Sequence, residues 1–150
     1  MGPKMDRVLV AVDSGPSSDG AVHEGIALAA EDDAEVVFVH VVPIAGEQFV
    51  ARRAWADRDP VRVRTRVLVG AADKADAAGV RCQTQLLVGY PPREIAAFAD
   101  ELDADLVVVG SRDMTPLRRL LAGSTSRALL GETARPVLVV PETAPQPALT

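Results

Sequence analysis

Two short segments carry residue types that could hold a phosphorylated ligand. The first, Ala11-Val12-Asp13-Ser14-Gly15-Pro16-Ser17-Ser18, follows the apolar run Val8 to Val12. The second starts as Gly110-Ser111-Arg112-Asp113, after the run Leu106 to Val109, and leads to Gly123-Ser124-Thr125-Ser126. A glycine at a strand end lets backbone come close to a ligand. A Gly-Ser-Thr-Ser run that opens a helix offers free amides, hydroxyls and the positive end of the helix dipole, all of which favour phosphate. Arg112, Arg118 and Arg119 lie between the two parts and could add positive charge. The same residues also have a plainer reading, in which Ser124 or Thr125 caps a helix and Gly110 makes a turn. Asp13 is open in the same way. Its carboxylate could accept hydrogen bonds from a ribose or help hold Mg²⁺, or it could form an N-cap or Asx turn ahead of Pro16.

Other chemistries lack their residues. Gly-x-Gly-x-x-Gly is missing after the first apolar run, which argues against a dinucleotide Rossmann site, and there is no Gly-x-x-x-x-Gly-Lys-Ser/Thr P-loop. His23 and His40 lack metal-ligand spacing; His23 is expected on a solvated helix face and His40 at a strand end. Cys82 is expected in the core. No motif pairs a nucleophile with a base, so no catalytic residue and no metal ligand is assigned.

The elements that must position these segments follow from the apolar pattern. Val8 to Val12, Val36 to Val42, Leu106 to Val109 and Val137 to Val140 are Val-rich and of strand length. None alternates cleanly with polar residues, as expected for parallel strands buried on both faces. Arg81 to Val88 differs. Cys82, Thr84, Leu86 and Val88 fall on one face and Arg81, Gln83 and Gln85 on the other, as on a half-exposed edge strand. Helical stripes lie between the runs: Val22, Ile26 and Ala29, then Ile95, Phe98, Ala99 and Leu102. Between 61 and 75 the pattern fits both periods, since Val61, Val63, Thr65 and Val67 alternate like a strand. Its later Ala and Asp content favours a helix that stops at Gly79. The last helix is expected to start at Ser124, with Gly131 near its end. Strands and helices in alternation imply a doubly wound α/β sheet with right-handed crossovers. A single domain is expected over 1–142, with a disordered tail over 143–150. The long loop from Pro43 to Pro60, with Arg52, Arg53 and Trp55, is expected to be functional, mobile or an interface.

Composition narrows the function further. The 150 residues are 48% hydrophobic and 25% charged, a normal globular balance. Only 3% are aromatic, so the core must be built from Val, Leu, Ile and Ala. A net charge of −5 argues against a nucleic-acid binder and against an anionic-membrane partner. The single cysteine allows no internal disulfide, and the start of the chain lacks a signal-peptide core, so a cytoplasmic location is expected.

The segments VLVAVDSGPSS, VVFVHVV, GYPPREIAAFADELDADLVVVGSRD and LLAGSTSRALLGETARPVLVVP together resemble the universal stress protein family, in order and spacing, over nearly the whole chain. The resemblance implies a five-stranded parallel sheet of order 3-2-1-4-5 with helices on both faces, a nucleotide-binding α/β fold like that of the adenine nucleotide alpha hydrolases. It also implies that Ala11, Val12, Asp13 and Val41 surround adenine and ribose, that Val109 and Gly110 line the same pocket, and that Gly123, Ser124, Thr125 and Ser126 hold the phosphates of ATP, with Mg²⁺ as a possible companion. Members that bind ATP share a Gly, two residues, Gly, nine residues, Gly, Ser/Thr signature. Gly110 and Gly123-Ser124 fit it, but Asp113 stands at the middle glycine. A carboxylate there repels polyphosphate unless a cation intervenes, and Arg112 or Mg²⁺ could compensate. The first loop also departs, reading Asp13-Ser14-Gly15 where the family has Asp-Gly-Ser.

Two functions are therefore expected in competition. One is an ATP-binding stress-response regulator with slow or absent hydrolysis, at most a slow ATPase, since no base is positioned for an attacking water. The other is a dimeric interaction protein of the same fold that does not bind nucleotide because of Asp113. The order 3-2-1-4-5 would leave the apolar strand 137–140 at an open edge. A twofold homodimer covering that edge is the expected remedy.

Overall fold

The computed structural model describes residues 3–13, 16–42, 60–110 and 124–141, with side chains described outside 16–17, 60–65 and 124–127. Among the described residues nine elements alternate: β1 (Arg7–Ala11), α1 (Pro16–Asp32), β2 (Glu35–Val42), α2 (Pro60–Ala77), β3 (Cys82–Val88), α3 (Pro91–Leu102), β4 (Leu106–Gly110), α4 (Ser124–Glu132) and β5 (Val137–Val140). The strands form one parallel sheet of order β3-β2-β1-β4-β5. This is the order implied by the resemblance. The region from 61 to 75 is helical, so its strand-like alternation is not realised. Residues 43–59, with Arg52, Arg53 and Trp55, and the tail after 141 lie outside the described residues.

Successive side chains of a strand point to opposite faces, and the central strands use both. Val8, Val10, Val36 and Phe38 pack on one face with Val22, Ile26 and Ala29 of α1 and Leu68, Ala71 and Ala75 of α2. Leu9, Val37, Val39, Val107 and Val109 pack on the other with Ile95, Ala96 and Ala99 of α3 and Leu129 of α4. Gly25 lets α1 lie directly on β1: a Cβ at that position would collide with Val10 Cγ2.

Three helices enter the next strand through the same turn. Asp33, Gly79 and Asp103 take left-handed φ values of 54°, 72° and 56°. The next residues, Ala34, Val80 and Ala104, are buried. Their amides donate to Ala29 O, Ala75 O and Ala99 O at 2.8, 2.9 and 2.9 Å. This is the six-to-one bond of the Schellman motif, which satisfies a carbonyl at the helix end and sets the entry angle of the strand. Gly79 was expected as a stop; the two aspartates were not.

The two edges differ. At β3, Arg81, Gln83 and Gln85 are exposed as expected, while Cys82 and Leu86 pack partly against the α1–α2 side. The expected alternation is not clean, because Leu87 packs against the α3 side and Thr84 and Val88 are exposed. An edge strand has a neighbour on one side only, and the covering helices leave the middle of β3 and its last residue exposed. At β5 the whole strand is apolar, and Val139 is 37% exposed.

Candidate functional site

The strand order reverses between β1 and β4, and in open α/β sheets ligands bind beyond the carboxyl ends of the strands at such a point. The described candidate residues gather there. Ala11 ends β1, with Val12 and Asp13 directly after it; Val41 stands near the end of β2; Val109 and Gly110 end β4. These are three adjacent strands. Val12, Val41 and Val109 are buried, while Ala11, Asp13 and Gly110 are half-buried. The helix α4 begins at Ser124 and must run back across the sheet to reach β5, so its amino end faces the same side. Ser124, Thr125 and Ser126 form its first turn. Arg112, Asp113 and Gly123 lie outside the described residues.

The exit of β1 is held by three hydrogen bonds. Val12 N donates to Val39 O at 2.8 Å, extending the β1–β2 ladder by one residue. His40 Nδ1 lies 2.6 Å from Val12 O, and Asp13 N donates to Ser18 Oγ at 2.9 Å. A carbonyl oxygen only accepts, so Nδ1 of His40 carries the proton. His40 is not at the strand end, as expected from the sequence, but inside β2 and buried. His23 is exposed on α1, as expected. His40 was set aside in the sequence for want of metal spacing, and Ser18 was only one residue of the first segment. A lone imidazole in the otherwise apolar run Val36 to Val42 was the available signal.

A cavity of about 460 Å³ opens beside Asp13, between α1 and α2. Val12, Val22, Val67 and Ala71 supply apolar wall; Asp13, Ser18 and Arg66 supply polar groups. Gly70 also lines it, and a Cβ there would meet nothing within 4 Å. Lys74 Nζ and Asp19 Oδ1 approach to 3.4 Å across the same cleft; both are well exposed, so the pair adds little stability. Among the described residues, no cluster of His, Cys, Asp and Glu could hold a metal ion.

The amino ends of the strands carry a different chemistry. Asp105 Oδ2 accepts from the amides of Asp6 and Arg7 at 2.7 and 3.0 Å. Arg135 donates to Ala104 O at 2.8 Å and pairs with Asp100 and Asp103 at 2.9 and 3.2 Å. The hydrogen bond to Asp100, followed by that to Asp103, outweighs desolvation and raises the Arg135 pKa further. Cys82 starts β3, half-buried, with Sγ 3.9 Å from Ala72 O. Burial, then the charges of Asp76 and Glu35, push its thiol up, which suits a packing residue better than a nucleophile. No helix among the described residues is long and apolar enough to cross a membrane.

Comparison with known proteins agrees with this architecture. The family model described as "Universal stress protein family" matches residues 4–141. A universal stress protein of Methanocaldococcus jannaschii is 31% identical over 139 residues, covering 89% of this chain and 81% of that protein. A universal stress protein solved in complex with cAMP is 26% identical with a TM-score of 0.70, over 94% of this chain and 100% of that one. Another, from Archaeoglobus fulgidus in complex with dAMP, is 25% identical with a TM-score of 0.67, over 90% of this chain and 97% of that one. With the family model spanning nearly its whole length, the chain belongs to the universal stress protein family.

Proposed function

We propose that this protein is an adenine-nucleotide-binding regulator, with ATP as its ligand and slow or absent hydrolysis. The carrying observation is the convergence of Ala11, Val12, Asp13, Val41, Val109 and Gly110 on three adjacent strand ends at the point where the sheet order reverses. Their chemistry suits the ligand. The valines offer apolar surface to a base, Asp13 offers acceptors to a ribose, and the amino end of α4, with Ser124, Thr125 and Ser126 after Gly123, offers amides to phosphate. Solved relatives in complex with cAMP and dAMP support the adenine class. Arg112 or Mg²⁺ would offset the charge of Asp113. A cytoplasmic location fits the single cysteine, and a homodimer paired along β5 would cover the exposed apolar edge.

Asp113 favours a second reading, a dimeric interaction protein without a nucleotide. Calorimetric titration of ATP with Mg²⁺ into wild type and Asp113→Gly separates the two. Micromolar binding by wild type is expected. Binding by the glycine variant alone would favour the second reading, and binding by neither would remove the nucleotide function.

A further inference from the structure

Two polar side chains are buried among the described residues, Ser18 and His40, at 5% and 6% exposure. They come from different elements, α1 and β2, yet they serve one and the same peptide unit. His40 Nδ1 donates to Val12 O at 2.6 Å, and Ser18 Oγ accepts from Asp13 N at 2.9 Å. The Val12 carbonyl and the Asp13 amide belong to a single planar group, so both of its polar atoms are held by enclosed side chains. The Val12 amide on the preceding unit is fixed as well, by Val39 O at 2.8 Å.

This arrangement is not the cheapest way to finish a strand. Burying an imidazole and a hydroxyl is unfavourable unless each is hydrogen-bonded, and a peptide at the mouth of a sheet can be satisfied by water. In the first turn of a helix, a side chain that reaches back commonly serves the cap residue's own amide. Ser18 instead reaches Asp13, ahead of the helix. The two bonds fix the plane of the Val12–Asp13 peptide and with it the direction in which the Asp13 carboxylate leaves the backbone.

We propose that His40 and Ser18 form a two-sided clamp that presets the Val12–Asp13 peptide and so positions Asp13 for its ligand. They are positioning residues: they act through Asp13 rather than on the ligand. The proposal deepens the nucleotide-binding reading and rests on it for the identity of the ligand. Preorganisation of this kind strengthens binding by removing an ordering cost that the ligand would otherwise have to meet.

The test has a ligand-free part and a ligand-bound part. Without ligand, nitrogen NMR of the His40 ring should show Nδ1 protonated, and Ser18→Ala should speed amide exchange at Asp13 at least about tenfold. With ATP and Mg²⁺ as probe, His40→Leu and Ser18→Ala should each weaken binding about tenfold, which corresponds to about 1.4 kcal/mol. The titrations use the wild-type background, or Asp113→Gly if only that background binds. His40→Asn, whose side-chain amide can stand where Nδ1 stands, should recover most of the loss and also guards against a leucine variant that folds poorly. The double variant should bind little worse than either single one, because both changes release the same peptide. Unchanged affinity, an asparagine variant as weak as leucine, or losses that simply multiply would overturn the proposal. If neither background binds ATP, the nucleotide reading fails, and the ring and exchange measurements decide the clamp by themselves: an unprotonated Nδ1 or unchanged exchange at Asp13 overturns it, and the expected pair of results sustains it.

Discussion

At the amino ends of the strands, charged side chains serve the backbone. Asp105 binds two amides of the segment entering β1, Arg135 binds the carbonyl of Ala104 and two aspartates of the α3 exit, and Arg7 donates to Leu102 O at 2.7 Å. Among the described residues near the carboxyl ends, two polar side chains are enclosed. Ser18 and His40 hold one peptide, which places the half-buried Asp13 beside an open cavity. The difference teaches how one sheet divides its labour. The amino end uses exposed charge to tie turns, where a lost contact costs a little stability. On the proposed reading, the carboxyl end uses buried polar groups to fix a direction, and a lost contact there should cost recognition.

A change between the two ends should damage both properties together. Gly25→Ala drives a methyl into Val10 and should lower stability by about 3 kcal/mol, with nucleotide affinity falling in step; chemical denaturation alongside ATP titration checks it. Changes at one end should separate the properties. Asp13→Ala should weaken ATP binding about tenfold while leaving the melting temperature within a few degrees of wild type, the effect of losing one set of ribose contacts. Asp105→Ala should do the reverse, removing the acceptor for two amides at a cost of about 1 kcal/mol and leaving ATP affinity unchanged. If Asp105→Ala weakened binding as much as Asp13→Ala, the division between the ends would be lost.

The smallest effect concerns Cys82 at the amino end. Its thiol is pushed up by burial and by Asp76 and Glu35, so the neutral form persists to higher pH than in an unfolded chain. Alkylation by iodoacetamide should therefore be slower in the folded protein near neutral pH, and the folded rate should rise only as pH climbs past the range where the unfolded thiol has already ionised. Equal rates in the folded and unfolded protein would contradict this account of the amino end.

Much of the fold was legible because buried parallel strands are apolar on both faces, and the runs beginning at Val8, Val36, Leu106 and Val137 are all of that kind. The polar alternation of 81–88 likewise marked β3 as an edge, although Leu87 packs on the face that pattern left to Arg and Gln. The left-handed exits at Asp33 and Asp103 were hidden, since an aspartate in sequence serves caps and turns of many kinds. The candidate site was legible in its residue types at Asp13 and Gly110. The clamp was not, because His40 reaches Val12 across 28 positions of sequence, and nothing in a Val-rich strand announces which carbonyl an imidazole will meet.

The claim that the carboxyl end is the ligand end is tested most directly by titrating the isotope-labelled protein with ATP and Mg²⁺ and following its backbone amides by NMR. The account predicts shifts concentrated at Val12, Asp13, Val41 and Gly110, with Asp6, Arg7, Asp105 and Arg135 unmoved. Shifts centred on the amino-end group, or none anywhere at saturating nucleotide, would contradict it.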